Sequence, residues 1–189
     1  MRNMITSIIS ILCYLQCFGT LSASVTAKNE NGNFVLKNKN VELVFANGKE
    51  FLFKEFRMDG MNILPVNGST THPWQLIYRG PNGENPTLMP RWGEYKGGEI
   101  QKTQDASTLI FTWQMVIDAG PTCPVRILVT LGKDAELPEW HIEAEMPEGW
   151  VITESEFPRI AVNRPEGAKG ILPVGFGTEY TIEIGRAHV

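Results

Sequence analysis

Ten residues, TLIFTWQMVI at positions 108–117, constrain the fold more than any other feature of the chain. Leu109, Phe111, Trp113, Met115 and Ile117 fall on one face of an extended backbone, and Ile110, Thr112, Gln114 and Val116 on the other. A period of two is a strand pattern, and a face this apolar must be covered by a second layer. The same period recurs in Val41, Leu43 and Phe45, in WQLIYR at 74–79, in Val125, Ile127, Val129 and Leu131, in Trp140, Ile142, Ala144 and Met146, and over 150–157. Turn formers punctuate these runs: Asn47-Gly48, Asp59-Gly60, Gly80-Pro81-Asn82-Gly83, Gly132-Lys133-Asp134 and Pro147-Glu148-Gly149. No segment of useful length repeats apolar residues at helical spacing. The expected class is all-β, an antiparallel β-sandwich.

Three local expectations follow. In the run 50–58, Phe51 and Phe53 should share one face, with Leu52, Lys54 and Phe56 on the other. The polar, Gly- and Pro-rich stretch 82–98 reads as a surface loop with short extended pieces. The run 179–184 alternates like a strand, with Tyr180, Ile182 and Ile184 on one face and little sequence after it to supply a partner.

The two ends read differently from the body. Arg2 precedes an almost wholly apolar core, MITSIISILCYLQCF, and then the small-residue stretch LSASVTA. That order is a secretory signal, with cleavage after Ala23 or Ala27 and a secreted or periplasmic product free of the membrane. The apolar run is shorter than the roughly 20 residues a spanning helix requires. Cys13 and Cys17 lack the small preceding residue of a lipoprotein signal. The last six residues, IGRAHV, match the translation of a common sequencing adapter. The expected layout is therefore a signal at 1–27, an incomplete β-sandwich at 28–183 and an artefact at 184–189.

Removing the signal leaves Cys123 as the one cysteine, so no internal disulfide framework is available and the core must hold the fold. Cys123 lies in GPTCPV with no base nearby in sequence, which reads as a buried, inert thiol. The net charge is −4. With no basic run or patch, nucleic acid is not an expected partner.

Chemistry-bearing constellations are few. His72 and His141 have no Cys or His at ligand spacing, so no metal and no cofactor is expected. His141 should face solvent on its strand. No phosphate-cradling loop or nucleophile elbow is present. Glu143 with Glu145, and Glu154 with Glu156, share strand faces, as paired catalytic carboxylates would, but solvated strand edges carry such pairs too. Trp113, Trp140 and Trp150 lie on apolar faces and are assigned to the core. The loop PRWGEYKGG differs. Arg91, Trp92 and Tyr95 stand together there, a set that either packs the loop down on the body, the reading favoured by how tryptophans are ordinarily used, or stacks on a sugar ring.

The segment LPEWHIEAEMPEGWVITESEFPRIAV, followed by ILPVGFG, resembles the N-terminal β-supersandwich of galactose-mutarotase-like type found in large secreted bacterial glycoside hydrolases. LKNKNVELVFANGKEFLFKEF is similar to the first hairpin of that domain. The resemblance extends over about residues 33–181. It implies an accessory sandwich packed on a (β/α)8 barrel that bears the catalytic carboxylates. No catalytic residue of the family has a matching position here, so the glycan or polysaccharide partner would be engaged chiefly through the barrel. A barrel-less sandwich should expose an apolar patch where the two domains meet. Two other readings compete: a free-standing carbohydrate-binding or surface protein, and a mutarotase-type epimerase. The epimerase requires a His and a Glu in one cleft.

Overall fold

A computed structural model of the chain describes residues 24–48, 53–65, 73–117, 120–160, 169–172 and 178–181. The proposed signal core, His72 and the adapter-like tail lie outside the described residues. Apart from one 3-10 turn at Pro90–Trp92, the regular structure there is entirely antiparallel β.

The first sheet has five strands in sequence order: β1 (Thr26–Glu30), β2 (Asn33–Lys37), β3 (Val41–Ala46), β4 (Phe53–Met58) and β5 (Met61–Asn62). Two of its connections are two-residue hairpins with both residues at positive φ, the backbone that matches strand twist. Asn31 and Gly32 (φ 50° and 72°) join β1 to β2, and Asp59 and Gly60 (φ 49° and 80°) join β4 to β5. The Asp59-Gly60 turn is where its sequence places it. The Asn31-Gly32 hairpin is an addition to the strands read from sequence.

The second sheet has the order β11-β10-β9-β8, from β8 (Glu94–Lys102), β9 (Ala106–Val116), β10 (Thr122–Gly132) and β11 (Glu139–Ala144). A third sheet, β12-β6-β7, comprises β6 (Gln75–Arg79), β7 (Thr87–Leu88) and β12 (Val151–Glu156). The remaining pair is β13 (Lys169–Leu172) with β14 (Thr178–Thr181). The expectation that the last run lacks a partner is thus corrected: β14 takes the preceding segment as its neighbour.

The sandwich is legible in its ring contacts. Phe111 of β9 meets Phe34 of β2 edge-on at 5.4 Å and Phe45 of β3 at 5.3 Å. Trp140 of β11 meets Phe45 and Phe53 at 6.0 and 5.7 Å. Trp74, entering β6, stands edge-on to Trp113 at 5.8 Å. One layer is therefore the β8–β11 sheet, and the opposing layer is built from the first and third sheets. Leu109, Phe111, Trp113, Met115 and Ile117 are all fully buried, together with Val125, Ile127, Val129 and Leu131 of β10. Burial at roughly 25 cal/mol per Å² of apolar surface makes this shared face the main stabilising feature.

Two bulges change the expected faces. β3 and β4 shift register between Val44 and Phe45, so that Val44 opposes Glu55 while Phe45 opposes Phe53. Lys54 is the surplus residue and points to solvent, where its ammonium donates to Asn33 Oδ1 at 2.8 Å. Phe53 and Phe56 consequently both reach the core, which corrects the prediction that they lie on opposite faces. The second bulge lies between Tyr95 and Gly97, which oppose Trp113 and Thr112. Gly97 has φ 118°, a conformation that favours glycine. At Gly98 a Cβ would stand 2.6 Å from the Phe34 ring, so the small residue permits the two layers to close. The last five residues of the segment read as a loop, 94–98, belong instead to this nine-residue strand β8. Only β7 and the 3-10 turn match the short pieces expected before it.

Candidate functional site

The Arg91-Trp92-Tyr95 set sits where the 3-10 turn runs into β8. Pro90 opens the turn, supplying a fixed φ where an N–H is not needed. Gly93 closes it with its N–H donating to the Pro90 carbonyl. A side chain at 93 would collide with Met115 Sδ, so glycine lets the turn lie flat on β9. The neighbouring Trp92 is left outside with 53% of its surface exposed. Its indole is not packed away, the alternative open to a loop tryptophan. The Arg91 guanidinium lies 4.9 Å from the ring centroid and holds the indole by a cation–π contact.

Tyr95 faces the other way. Its ring packs on Trp113 at 5.4 Å, and its hydroxyl pairs with Asn47 Oδ1 at 3.2 Å. Burial pushes the phenol pKa up to about 12. The folded state therefore holds the proton more tightly than the unfolded chain, whose tyrosines titrate near 10. The stability this contributes is complete below about pH 10 and is lost as pH rises toward about 12. In denaturant titrations, Tyr95→Phe should flatten this alkaline decline relative to the parent chain. An unchanged pH slope between those values would show that Tyr95 does not carry it.

Beside Trp92 lies an open groove of about 660 Å³, within the range of small-ligand sites. Its walls are Trp92, Gly93, Glu94, Tyr95, Gln114, Val116 and Thr122. Strand register assembles them: Glu94 opposes Gln114 across β8 and β9, and Val116 opposes Thr122 across β9 and β10. Lys96 lies beside Glu94, their charged groups 2.7 Å apart. The groove therefore joins an apolar indole and a valine to a carboxylate, an amide and a hydroxyl. Such a set can pack against an apolar ring face and exchange hydrogen bonds with hydroxyl groups.

The chain is 98% identical over 179 residues to a protein of Bacteroides thetaiotaomicron provisionally named a glycoside hydrolase. The match takes in 95% of this chain but 27% of that protein, so the chain spans about a quarter of its relative's length. No family model matches the sequence, and no solved structure matches it.

The other candidates occupy different places. His141 is 68% exposed, as its strand position predicts, and its Nε2 is 3.7 Å from Glu143. Glu143 is also held by Arg126, directly across the β10–β11 ladder. Glu156 pairs with Arg159 at 3.1 Å. None of these side chains is among the described residues that line the Trp92 groove. Cys123 is buried, with its sulfur 3.5 Å from Met146 Sδ. Burial, and then the Glu145 charge, push the thiol upward, opposite to what a nucleophile requires. Trp113 is fully buried, while Trp140 and Trp150 pack at the core's margin.

Sequence reading located the aromatic of the groove and missed Gln114, Val116 and Thr122 on its far wall. Their one signal was the polar side of the 108–117 strand, where Gln114 interrupts an otherwise apolar and Thr-bearing run. In the structure Val116 is 55% exposed, so this end of the strand's outer face is open.

Proposed function

We propose that this chain is the non-catalytic N-terminal β-sandwich of a secreted glycoside hydrolase. In this reading it supports a (β/α)8 barrel encoded beyond it and contacts glycan at the exposed indole of Trp92. The observation that carries the reading is the near-identity to a quarter of a protein named as a glycoside hydrolase. The described residues supply an all-β scaffold whose titratable pairs are exposed, which suits an accessory role. Arg91 fixes the indole, and Tyr95 anchors the strand beneath it.

Export is part of the same proposal, and β1 favours the earlier of the two cleavage points. Ala27 is 1% exposed and pairs with Leu36, and Thr26 pairs with Lys37. A cut after Ala23 leaves that strand whole, whereas a cut after Ala27 removes its first two residues.

Hydrolysis of a polysaccharide panel by the full-length relative and by this chain alone tests the accessory role. Activity should reside in the full-length protein, and comparable turnover by the chain alone would end the non-catalytic reading. For glycan contact, Trp92→Ala should weaken binding by about tenfold or more, equivalent to ~1.4 kcal/mol. Equal affinity in the variant would remove Trp92 from the site.

A further inference from the structure

We infer that the Trp92 groove selects uncharged glycan chains, with Glu94, Gln114 and Thr122 as its hydrogen-bonding wall. This rests on the reading that Trp92 contacts glycan, and it goes further by assigning the residues opposite the indole and the class of sugar they accept.

The wall follows from register. Glu94 and Gln114 are directly paired, as are Val116 and Thr122, so three adjacent strands present these side chains to one space. Sugar hydroxyls both donate and accept. A carboxylate accepts, a primary amide does both, and so does a hydroxyl, so the three groups cover the needs of a polyol. Trp92 and Val116 provide the apolar surface for the C–H face of a pyranose ring. Both large apolar side chains are more than half exposed, so they are available without rearrangement.

Charge sets the selectivity. Among the described residues that line the groove, Glu94 is the one carboxylate and none is a lysine or arginine. The Lys96 ammonium is paired with the Glu94 carboxylate at 2.7 Å. Arg91 lies over the indole, outside the lining. A uronate or sulfate entering here would have to compete with the Glu94 carboxylate for the Lys96 ammonium, an arrangement that discriminates against acidic chains. A neutral chain meets no such penalty, and its hydroxyls can donate to Glu94 in charge-assisted hydrogen bonds.

Intrinsic tryptophan fluorescence of the full 189-residue chain tests this. The titrants are hexasaccharides of β-1,4-glucan, β-1,4-mannan, α-1,4-glucan and α-1,6-mannan, with hexagalacturonate as the acidic comparison. At least one neutral hexasaccharide should bind at least about tenfold more tightly than hexagalacturonate. Gln114→Ala and Thr122→Ala should each weaken that neutral ligand by about threefold to tenfold, with near-ultraviolet circular dichroism showing the fold retained. Glu94→Lys should narrow or reverse the preference against galacturonate. If hexagalacturonate binds more tightly than every neutral chain, and Trp92→Ala abolishes it, the selectivity is wrong while glycan contact at Trp92 stands. If a neutral chain binds and both wall variants leave it unchanged, the wall is wrong. If none of the five binds, the inference and the glycan-contact reading fall together, leaving the accessory role to its own hydrolysis assay.

Discussion

Phe111→Ala is expected to destabilise the fold by about 3–5 kcal/mol, the range for removing a buried aromatic. Phe111 is fully buried at the middle of β9, touching Phe34 and Phe45 from the opposite layer. Its loss would open a cavity between two sheets that cannot simply collapse, because each is held in register by its own ladder. The expected loss is a large share of the 5–15 kcal/mol that such a domain possesses. Urea unfolding followed by tryptophan fluorescence should show a much lower midpoint at a similar slope. A midpoint within about 0.5 kcal/mol of the parent would mean that the layers do not depend on this contact. A parallel Phe111→Leu variant, which keeps most of the volume, should lose distinctly less, separating cavity formation from general intolerance at the site.

A loss of comparable size is expected from Asn38→Asp, although it changes little in shape. Asn38, 4% exposed, sits in the turn between β2 and β3. Its Oδ1 accepts from the Asn40 and Val41 amides at 2.9 and 2.8 Å. Its Nδ2 donates to the Gly132 and Ala135 carbonyls, both at 2.8 Å. The side chain thus ties the first sheet to the turn after β10, across more than ninety residues of sequence. An aspartate keeps the acceptor and loses both donors, leaving an anionic oxygen against two carbonyls. Each carbonyl keeps one longer bond, from the Ala135 N–H to Gly132 at 3.2 Å and from Asn40 Nδ2 to Ala135 at 3.4 Å, so the cost comes mainly from burying a carboxylate against them, on the order of 3 kcal/mol. The buried carboxyl would be easier to protonate than in the unfolded chain. The deficit should therefore be full above the raised pKa of this carboxyl, narrow as pH falls through it, and reach its floor below about 4, where the proton has restored one donor. Unfolding titrations at pH 7 and pH 3.5, each against the parent chain, would measure this. A deficit independent of pH would show that donor loss is not its cause.

The strands that form the shared core were legible because their signal is local. In β9, β10 and β11 the apolar residues recur at every second position over long runs, and that period alone specifies a strand with one covered face. The β1–β2 hairpin was missed although Asn31-Gly32 announces it, because β1 buries only Ala27 and β2 only Phe34 and Leu36. Strand β8 was missed for a related reason. EYKGGEIQK has two glycines and several charges, so it forms a strand only because β9 offers it a ladder. The two bulges could not be read at all. Lys54 and Lys96 look like ordinary members of an alternating series, and only pairing with the neighbouring strand shows them to be surplus.

The candidate site divides in the same way. Trp92 with Arg91 was visible as an aromatic in a polar, glycine-bearing loop. Tyr95 was grouped with them by proximity in sequence, whereas strand alternation turns it inward to Trp113 and Asn47. Gln114 and Thr122 belong to the site through cross-strand registers that sequence does not specify.

By itself, then, the sequence determined an all-β chain, its hairpin at Asp59-Gly60, the inward faces of its long strands and the buried state of Cys123. All of these depend on residue type and on neighbours within a few positions, where backbone sterics and hydrophobic period act directly. The tertiary structure alone decided which layers meet, where the ladders slip by a residue, that Asn38 bridges two sheets, and which side chains stand across from Trp92. Each of these is a relation between residues far apart in the chain, fixed by how whole faces pack and pair.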